Sequence, residues 1–360
     1  MTLLEGWCSR MLLHLILIAS SFHMITEVTS NNEDYLHVLR CYFNLTESAT
    51  FKIIWMFANQ LGIDGLLPIH RSSYQGRGDV VKALIKIGVP LDVLDNKLQK
   101  PPFIWAARGG NVEVLNLLKE AVPSQIVWSD KDGTALNWAT KERQQSAIQW
   151  LIAQNISLES RDGFHMSPLQ TASYNGDYGA AKLLLDHGAN IESFDNYWWT
   201  PMFWATANDH IDVVQLLLNR SAIVNRADMS GMTPLHEAAM GHSVNYTGDG
   251  TDMLQLLLDH AADLRTRSIN GFTALHHAVA SDRLHATGYL LKKGSDVNSA
   301  SYNGMTPLHL ASSNGYLIMA GLLLDREANV NARDHNGRTP LYVAKGKDMV
   351  DFIKSRGGTL

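Results

Sequence analysis

Histidine is the residue type through which this chain could perform metal or acid–base chemistry. The 360 residues include 15 histidines, and His276, His277 and His285 form the densest group. Zinc sites combine histidine with cysteine or carboxylate ligands at short, regular spacing, and no such pattern surrounds this group. The sequence also contains no glycine-rich phosphate loop, GxSxG turn or HExxH helix. We therefore expect no catalytic residue, no metal and no cofactor.

The charge and the cysteine content exclude further classes of function. The formal net charge is −5, whereas a protein that binds nucleic acid needs a cationic excess to neutralise phosphates. The two cysteines, Cys8 and Cys41, are too few for a disulfide framework. A hydrophobic share of 46% with 18% charged residues is typical of a folded protein. The sequence thus predicts a folded chain whose partner is not nucleic acid.

Tryptophan is the second residue type that draws attention, because it is concentrated at one turn. The segment "DNYWWTPMFWATANDH" (195–210) holds three tryptophans within seven positions. It opens with Asp-Asn, a turn signal, and continues into Thr-Pro, a helix start. An exposed indole is costly unless it anchors a partner, and tryptophan and tyrosine dominate binding hot spots. The use of these rings depends on the elements that position them.

A repeated sequence pattern defines the elements that position these rings. Stretches similar to Thr-Pro-Leu-His place an equivalent residue at Pro68, Pro102, Ala135, Pro168, Pro201, Pro234, Ala274, Pro307 and Pro340. The spacings are 34, 33, 33, 33, 33, 40, 33 and 33 residues, and seven of the ten prolines fall on this position. Such a period indicates an array of structural repeats.

Each repeat carries the same local signals. A turn with glycine comes first, as in "DMSGMTPLH" (228–236), and threonine then stands at a helix N-cap with proline in the first helical position. A second helix carries leucines at helical spacing, as in "DVVQLLLNR" (212–220). One repeat cannot bury that apolar stripe, whereas stacked repeats can.

The motif residues resemble those of the ankyrin repeat family. They are Thr-Pro-Leu-His at 233–236 and 306–309, variants of it at 167–170, 200–203, 273–276 and 339–342, and Gly-Ala-Asn at 188–190. The resemblance implies an all-α solenoid of stacked β-turn–helix–helix units in a right-handed curved array. It also implies binding of protein partners without catalysis, and a structural role for His70, His236, His276 and His309 within the turn and cap.

The resemblance divides the chain into three parts. Residues 1–30 form an apolar segment, 31–61 a degenerate N-terminal capping repeat, and 62–360 the repeat domain with eight full units and a short C-terminal cap unit. The 40-residue spacing after Pro234 predicts a polar loop inserted between two helices. "DKDGTALNW" (130–138) lacks one turn residue, which predicts a tighter hairpin.

Alignment of the tryptophans with the motif predicts where each ring lies. Trp198 falls on the turn glycine, where it would pack against the neighbouring hairpin or project from the turn. Trp204 occupies a helix slot that also holds Trp105 and Trp138, and we expect these three rings to be partly buried. We expect Tyr197 and Trp199 to lie on the surface, since side chains at turn tips have few neighbours.

Matching positions in other repeats extend this set into a predicted contact surface. Its members are Tyr74, Trp105, Trp138, Tyr174, Tyr197, Trp199, Trp204, Met229, Met232, Phe272, Tyr302, Met305 and, as a polar end, Arg338 with His335 beside it. The predicted function is that of a non-enzymatic, monomeric, cytoplasmic scaffold that binds a protein through the concave face of the solenoid. In a further hypothesis, the chain regulates an enzyme on a separate polypeptide.

An alternative places the protein at or beyond a membrane. Residues 11–25 begin with "MLLHLILIA", an apolar run of the length of a signal-peptide core and short for a membrane span. If this run is an anchor or a signal, the sequons at Asn44, Asn155, Asn219 and Asn245 become glycosylation sites. A buried helix that caps the array remains the other interpretation of this run.

Overall fold

The computed structural model describes residues 66–86, 88–241 and 251–360. Within them the chain forms 17 α-helices and one short two-stranded hairpin, which confirms the predicted all-α repeat architecture. The chain divides into two compact bodies, one that ends at Ile156 and one that runs from Ser157 to Leu360. We call these the N-terminal body and the C-terminal body. The predicted segments 1–30 and 31–61 lie outside the described residues.

Three helix pairs make up the described part of the N-terminal body. They are α1 (Pro68–Gln75) and α2 (Gly78–Lys86), α3 (Pro102–Gly109) and α4 (Val112–Ala121), and α5 (Ala135–Lys141) and α6 (Gln145–Ala153). A 3₁₀ helix (Pro123–Val127) and the strands β1 (Ser129–Asp130) and β2 (Gly133–Thr134) precede α5. The strands pair Asp130 with Gly133 across a two-residue loop, so the prediction of a tighter hairpin in this repeat is confirmed.

The C-terminal body continues the same pattern. Its helices are α7 (Pro168–Asn175), α8 (Tyr178–Asp186), α9 (Pro201–Ala207), α10 (Ile211–Asn219), α11 (Pro234–Met240), α12 (Asp252–Asp259), α13 (Ala274–Ala280), α14 (Leu284–Lys292), α15 (Pro307–Asn314), α16 (Leu317–Leu324) and α17 (Lys347–Ser355). The predicted loop insertion falls largely on residues 242–250, which lie outside the described residues.

The first helices of successive repeats stack on one another and form the core. In the N-terminal body α3 lies between α1 and α5, and in the C-terminal body α7, α9, α11, α13 and α15 follow one another. The second helices form a further layer, in which Val213, Val214 and Leu217 of α10 are fully buried. The predicted apolar stripe is thus covered by neighbouring repeats, as the stacking argument requires.

The last repeat differs from the prediction. The short C-terminal cap unit, which holds "YVAKGKDMVDFIKSRGG" (342–358), was expected to keep both helices of a repeat, but only α17 forms, and residues 340–343 make turns. Gly346 has a φ of 87°, a left-handed conformation that ends the turn segment directly before α17. The segment is therefore too short to complete a first helix, and α17 packs on α16.

A buried histidine joins each typical repeat to the next hairpin. The Nδ1 atom of His276 accepts the backbone N–H of Thr273 at 3.2 Å and lies 2.9 Å from the threonine hydroxyl oxygen. Its Nε2 atom lies 3.1 Å from the carbonyl oxygen of Met305 in the following hairpin. A carbonyl can only accept, so Nε2 carries the proton and the ring is neutral. His236 and His309 make the same set of bonds.

Glutamine performs the same task in one repeat. The Oε1 atom of Gln170 accepts the N–H of Ser167 at 3.0 Å, and its Nε2 donates to the carbonyl oxygen of Trp199 at 2.8 Å. In the first described repeat Leu67 stands at the cap, so the Nδ1 atom of His70 has no partner although Nε2 still reaches Val93 at 3.0 Å. The structural role predicted for these histidines follows from this geometry.

Burial makes these histidines sensitive to acid. Desolvation lowers the pKa of His276 from 6.5 to about 4, and burial also lowers the pKa of His70, His236 and His309. Neutral imidazole therefore contributes its full stability above the unfolded pKa, near 6.5. That contribution is lost as the pH falls toward 4, since the unfolded state then binds protons that the folded state cannot.

We expect His276→Gln to reduce the acid sensitivity of the fold, because glutamine keeps both hydrogen bonds and does not titrate. The free energy of unfolding should fall by about 2 kcal/mol less in the variant than in the wild type between neutral pH and about pH 5. Urea unfolding at the two pH values measures this difference. The exposed His285→Gln is the control and should behave as the wild type. Equal acid losses in all three proteins would contradict the prediction.

Candidate functional site

Hairpin tips of the C-terminal body form a row of exposed apolar side chains. The side chains of Tyr197, Met229, Ile269 and Tyr302 are 68%, 60%, 68% and 60% exposed, respectively. Backbone bonds join the hairpins that carry them: Met229 donates to the carbonyl of Tyr197 at 3.2 Å and Ile269 to that of Ser230 at 2.7 Å. Tyr302 donates to the carbonyl of Asn270 at 3.1 Å. We call these four residues together with Trp198 the tip row.

Trp198 holds an unfavourable backbone conformation within the tip row. Its φ is 64°, in the left-handed region, where the equivalent Gly231, Gly271 and Gly304 also lie. Glycine adopts this region at no steric cost, whereas a bulky residue is strained there by about 1–2 kcal/mol. The indole is 53% exposed, and its ring centroid lies 6.1 Å from that of Phe194. A large part of this strained residue therefore remains accessible to a partner.

Trp199 is not the exposed ring that the sequence analysis expected. It is half-buried, and its ring centroid lies 4.5 Å from both Phe203 and Trp204. Its indole N–H donates to Asp228 of the next hairpin at 3.0 Å. A turn-tip residue was expected to lack neighbours, but the stacked hairpin and the helix α9 supply them. The expectation for Tyr197, in contrast, agrees with its exposure.

An aspartate at the base of the hairpin holds the tryptophan of the following helix. Asp195 accepts the N–H groups of Tyr197 and Trp199 on Oδ1, and the indole N–H of Trp204 on Oδ2 at 3.0 Å. Trp204 is half-buried as expected, and the exposed Tyr174 meets it edge-on at 5.3 Å. The hairpin and the first helix are thereby fixed as one rigid surface.

The remaining predicted contact residues of this body lie deeper than the tip row. Met232, Phe272 and Met305 are half-buried, and Phe272 stacks on His276 with centroids 5.1 Å apart. Arg338 pairs with Asp334 at 2.7 Å and is half-buried, and His335 beside it is exposed. These residues support the hairpins and add only the edges of their side chains to the surface.

The predicted rings of the N-terminal body gather around one arginine. Trp105 and Trp138 are only 6% and 7% exposed, and the Arg108 guanidinium carbon lies 4.6 Å and 4.8 Å from their ring centroids. Tyr74 is exposed and meets Trp105 edge-on at 5.9 Å. These two tryptophans are more buried than expected, because the arginine covers them.

A buried lysine links two hairpins of the same body. Lys100 is fully buried, and its Nζ bonds to Asp130 and, at 2.7 Å, to Asp132. The Nζ atom also lies over the rings of Trp128 and Trp138, at 5.4 Å and 5.6 Å from their centroids. The hydrogen bond from Lys100 lowers the pKa of Asp132. This ion pair links the first hairpin to the hairpin of β1 and β2.

The group around His276 and His277 belongs to the packing of the repeats, and two of the four glycosylation sequons lie in the described residues. His276 caps a helix, and the ring of His277 lies edge-on to His236, 5.4 Å away. No cluster of metal-ligating side chains occurs among the residues that the structure describes. Asn155 is exposed after α6, whereas Asn219 is the last residue of α10 rather than a loop residue. Asn44 and Asn245 lie outside the described residues.

Family models identify this arrangement of stacked helix pairs and hairpins. The model for "Ankyrin repeats (3 copies)" matches residues 69–162, 120–195, 136–228, 172–247 and 222–301. The model for "Ankyrin repeats (many copies)" matches residues 290–344. The chain belongs to the ankyrin repeat family. Ankyrin repeats are generally protein–protein interaction modules.

The ankyrin fold is also found among solved structures. The crystal structure of the ankyrin repeat domain of Bcl-3, "a unique member of the IkappaB protein family", is similar with a TM-score of 0.55 and 24% identity, over 62% of this chain and 100% of that chain. At this identity the similarity supports the fold alone. No curated protein matched the sequence significantly. In the described part of this ankyrin chain, no helix is both long and apolar enough to cross a bilayer.

Sequence reasoning missed three residues of these ankyrin surfaces. Ile269 was overlooked because the motif search followed aromatic and methionine side chains, although it aligns with Met229 and Tyr302. Trp198 was left out of the predicted contact surface, although a tryptophan on a glycine position was itself the signal. Lys100 gave no local signal, since its partners Asp130 and Asp132 lie about one repeat further along the chain.

We expect Trp199→Ala to lower the stability of the ankyrin fold and Tyr197→Ala to leave it unchanged. The first removes the packed ring and the Asp228 bond, a loss of about 2 kcal/mol for a half-buried indole. The second removes an exposed ring, with an effect within about 0.5 kcal/mol. Urea unfolding of each variant measures the difference. Equal stabilities of the two variants would show that Trp199 does not belong to the packed framework.

We expect Asp130→Asn combined with Asp132→Asn to destabilise the ankyrin fold by about 3–5 kcal/mol, because it leaves a buried ammonium without a charged partner. Adding Lys100→Met to this double variant should restore most of the loss, since an apolar side chain of similar length needs no partner. Chemical denaturation of the double and triple variants tests both steps. A triple variant that is no more stable than the double variant would be the contrary result.

Proposed function

We propose that this ankyrin-repeat chain is a non-enzymatic scaffold that binds a protein partner through its hairpin tips and first-helix face. The tip row of the C-terminal body supplies the main anchors. Further contacts are proposed in each body separately. In the N-terminal body they are Tyr74, Trp105 and Trp138. In the C-terminal body they are Tyr174, Trp199, Trp204, Met232, Phe272, Met305 and Arg338. This surface would lie on the concave side of the array, which is part of the proposal.

The single observation that carries this proposal is the exposed, strained Trp198. Strain of this kind persists where the surrounding structure enforces it, and it concentrates at functional sites. Glycine occupies the equivalent position of four other hairpins, and His165 and Gln99 occupy it in two more, so the fold does not require tryptophan there. At this position tryptophan opposes the local backbone preference and remains 53% exposed. Binding is the role that accounts for it.

The neighbours of Trp198 support the same function. Exposed apolar side chains scattered singly need no explanation, but a contiguous group marks an interaction surface. Tyr197, Met229, Ile269 and Tyr302 lie on hairpins joined by backbone hydrogen bonds, so their relative positions are set before a partner arrives. Preorganised aromatic anchors bind with little loss of conformational freedom. These properties suit a protein partner with apolar side chains at its contact surface.

Trp198→Gly tests this proposal, because it removes the anchor and relieves the backbone at the same position. We expect the variant to be at least as stable as the wild type and to recover partners about tenfold less well in affinity capture with quantitative mass spectrometry. Glu327→Gly is the matched control, since Glu327 is also exposed with a φ of 67° but lies outside the tip row. It should keep the wild-type partners.

Two results would contradict the proposal. The first is the capture of the same proteins at equal yield by the wild type, Trp198→Gly and Glu327→Gly. The second is a lower unfolding temperature for Trp198→Gly than for the wild type, which would show that the indole serves the fold instead of a partner.

A further inference from the structure

A groove lies between the second helices of two neighbouring repeats in the C-terminal body. It runs along α14 and α16, which pack side by side, and its volume is about 500 Å³. Ile318 and Leu322, one helical turn apart on α16, line it together with Arg326, which follows the end of that helix. Gly288 and Lys292 contribute to the lining from α14. Ile318 is 75% exposed, so a partner can reach the groove from solvent.

The groove is open because α14 lacks a side chain at Gly288. A Cβ atom added to Gly288 would meet no atom within 4 Å. At the next junction the helix α16 also carries a glycine, Gly321, but there the ring of Phe352 from α17 lies 3.7 Å from the position of an added Cβ. Leu322 is the residue of α16 that aligns with Phe352, and it does not reach Gly288. The other second helices of this body carry long polar residues at this position, namely Lys182, Gln215 and Gln255.

An ion pair recurs where neighbouring second helices end. A carboxylate at the end of one helix pairs with a cation at the end of the next, and the pairs are Asp186 with Arg220 at 2.6 Å, Asp259 with Lys293 at 3.9 Å, and Asp325 with Arg356 at 3.0 Å. At the junction of α14 with α16, the same two positions hold Lys292 and Arg326. Two positive charges therefore stand where three other junctions hold opposite charges.

The two cations of the groove have no acidic partner within the described residues. No ion pair or side-chain hydrogen bond joins Lys292 or Arg326 to another residue in the part of the chain that the structure describes. Among the described residues that line the groove, none is acidic. Asp325, beside Arg326 in the chain, is already paired with Arg356. A carboxylate from another molecule would complete the pattern of charges that the other junctions show.

We propose that this groove binds an amphipathic helix of a protein partner, with apolar side chains against Ile318 and Leu322 and a carboxylate at Lys292 and Arg326. This inference rests on the proposed protein-binding function, and it adds a second surface and the chemistry of the segment that binds there. The groove lies on second helices, whereas the tip row lies on hairpins. A helix that lies in a groove is held by residues on one of its faces.

The spacing of the lining residues defines the pattern that the partner needs. Arg326 follows Ile318 by eight residues, and a helix rises 1.5 Å per residue, so the apolar and cationic ends of the groove are about 12 Å apart. A partner helix therefore carries its carboxylate about two turns from its first apolar anchor. The apolar contacts supply affinity, and the charges set the orientation of the helix.

An anionic membrane is a less suitable occupant of this groove. Binding of a protein to anionic lipid increases with the number of cations near the surface, and the groove offers two. The chain as a whole carries a net charge of −5, which opposes approach to a negative surface. The apolar side chains also line a concave groove, which fits a rod-shaped partner better than a flat one.

Fluorescence anisotropy on the full chain tests the inference with three labelled peptides. The first is a helical peptide of alanine and glutamine that carries two leucines one turn apart and a glutamate two turns after the first leucine. The second has lysine in place of the glutamate, and the third has serine in place of both leucines. Sedimentation with vesicles of phosphatidylcholine and phosphatidylserine tests a membrane as the occupant.

Two variants change the groove, and each has a matched control. Gly288→Leu fills it, and Gln215→Leu places the same side chain at the equivalent position two repeats earlier. Lys292→Asp restores the acid that other junctions carry, so that Arg326 gains a partner within the chain. Its control is Lys345→Asp, the same charge change at an exposed lysine outside the groove. Unfolding temperatures confirm that each variant is folded, and Leu322→Phe replaces Gly288→Leu if that variant unfolds.

We expect the wild type and both controls to bind the first peptide with similar affinity, and Gly288→Leu and Lys292→Asp to bind it at least about tenfold more weakly. The lysine and serine peptides should bind the wild type at least about tenfold more weakly than the first peptide does. Trp198→Gly should bind the first peptide as the wild type does, so a failure of the tip row in partner capture leaves this measurement unaffected.

Three results would overturn the inference. The first is that the wild type does not bind the first peptide, or binds the lysine or serine peptide equally well. The second is that the groove variants bind it as tightly as their controls. The third is that the wild type binds the vesicles and that Gly288→Leu and Lys292→Asp abolish this binding, which would make a membrane the occupant.

Discussion

The structure depends on a recurring hydrogen-bonded bridge between a helix cap and the next hairpin, which Gln170, His236, His276 and His309 form. A buried neutral imidazole accepts from the threonine at the cap and donates to a carbonyl in the following repeat, as His276 does between Thr273 and Met305. This side chain satisfies polar groups that burial would otherwise leave unpaired. It also fixes the distance from one hairpin to the next. Gln170 shows that the geometry of the bridge, rather than imidazole itself, is required.

A rigid framework of this kind allows unusual side chains at the tips of the hairpins. The bridge and an aspartate or serine fix the base of the hairpin, and backbone hydrogen bonds join neighbouring tips, so the exposed side chains at the tips are not needed to hold the repeats together. Trp198 therefore remains in a left-handed conformation that a free turn would avoid. In the N-terminal body the hairpins and first helices instead hold two cations, Lys100 and Arg108, which lie over tryptophan rings.

Local signals were sufficient to predict the helices. The structure departs from the predictions mainly where side chains make contacts with a neighbouring repeat. The period of the prolines, the threonine caps and the leucine stripe each act within one repeat, and they predicted the helix pairs from α1 to α16. Trp199 was predicted to lie on the surface, because its hydrogen bond runs to Asp228 of the next hairpin and leaves no local signal in the sequence. The burial of Lys100 likewise depends on Asp130 and Asp132. The missing helix of the last repeat follows from Gly346, whose conformation the family pattern did not reveal.

Photo-crosslinking tests most directly whether the tip row is the binding surface. Benzoylphenylalanine incorporated at Tyr302, in the tip row, is compared with incorporation at Tyr342, which is 65% exposed and lies outside the row. Both sites replace an exposed tyrosine of the same body, so reactivity and exposure are matched. We predict that a captured partner crosslinks from position 302 and not from position 342. Crosslinking to the same partner with equal yield from both positions, or from position 342 alone, would contradict the account.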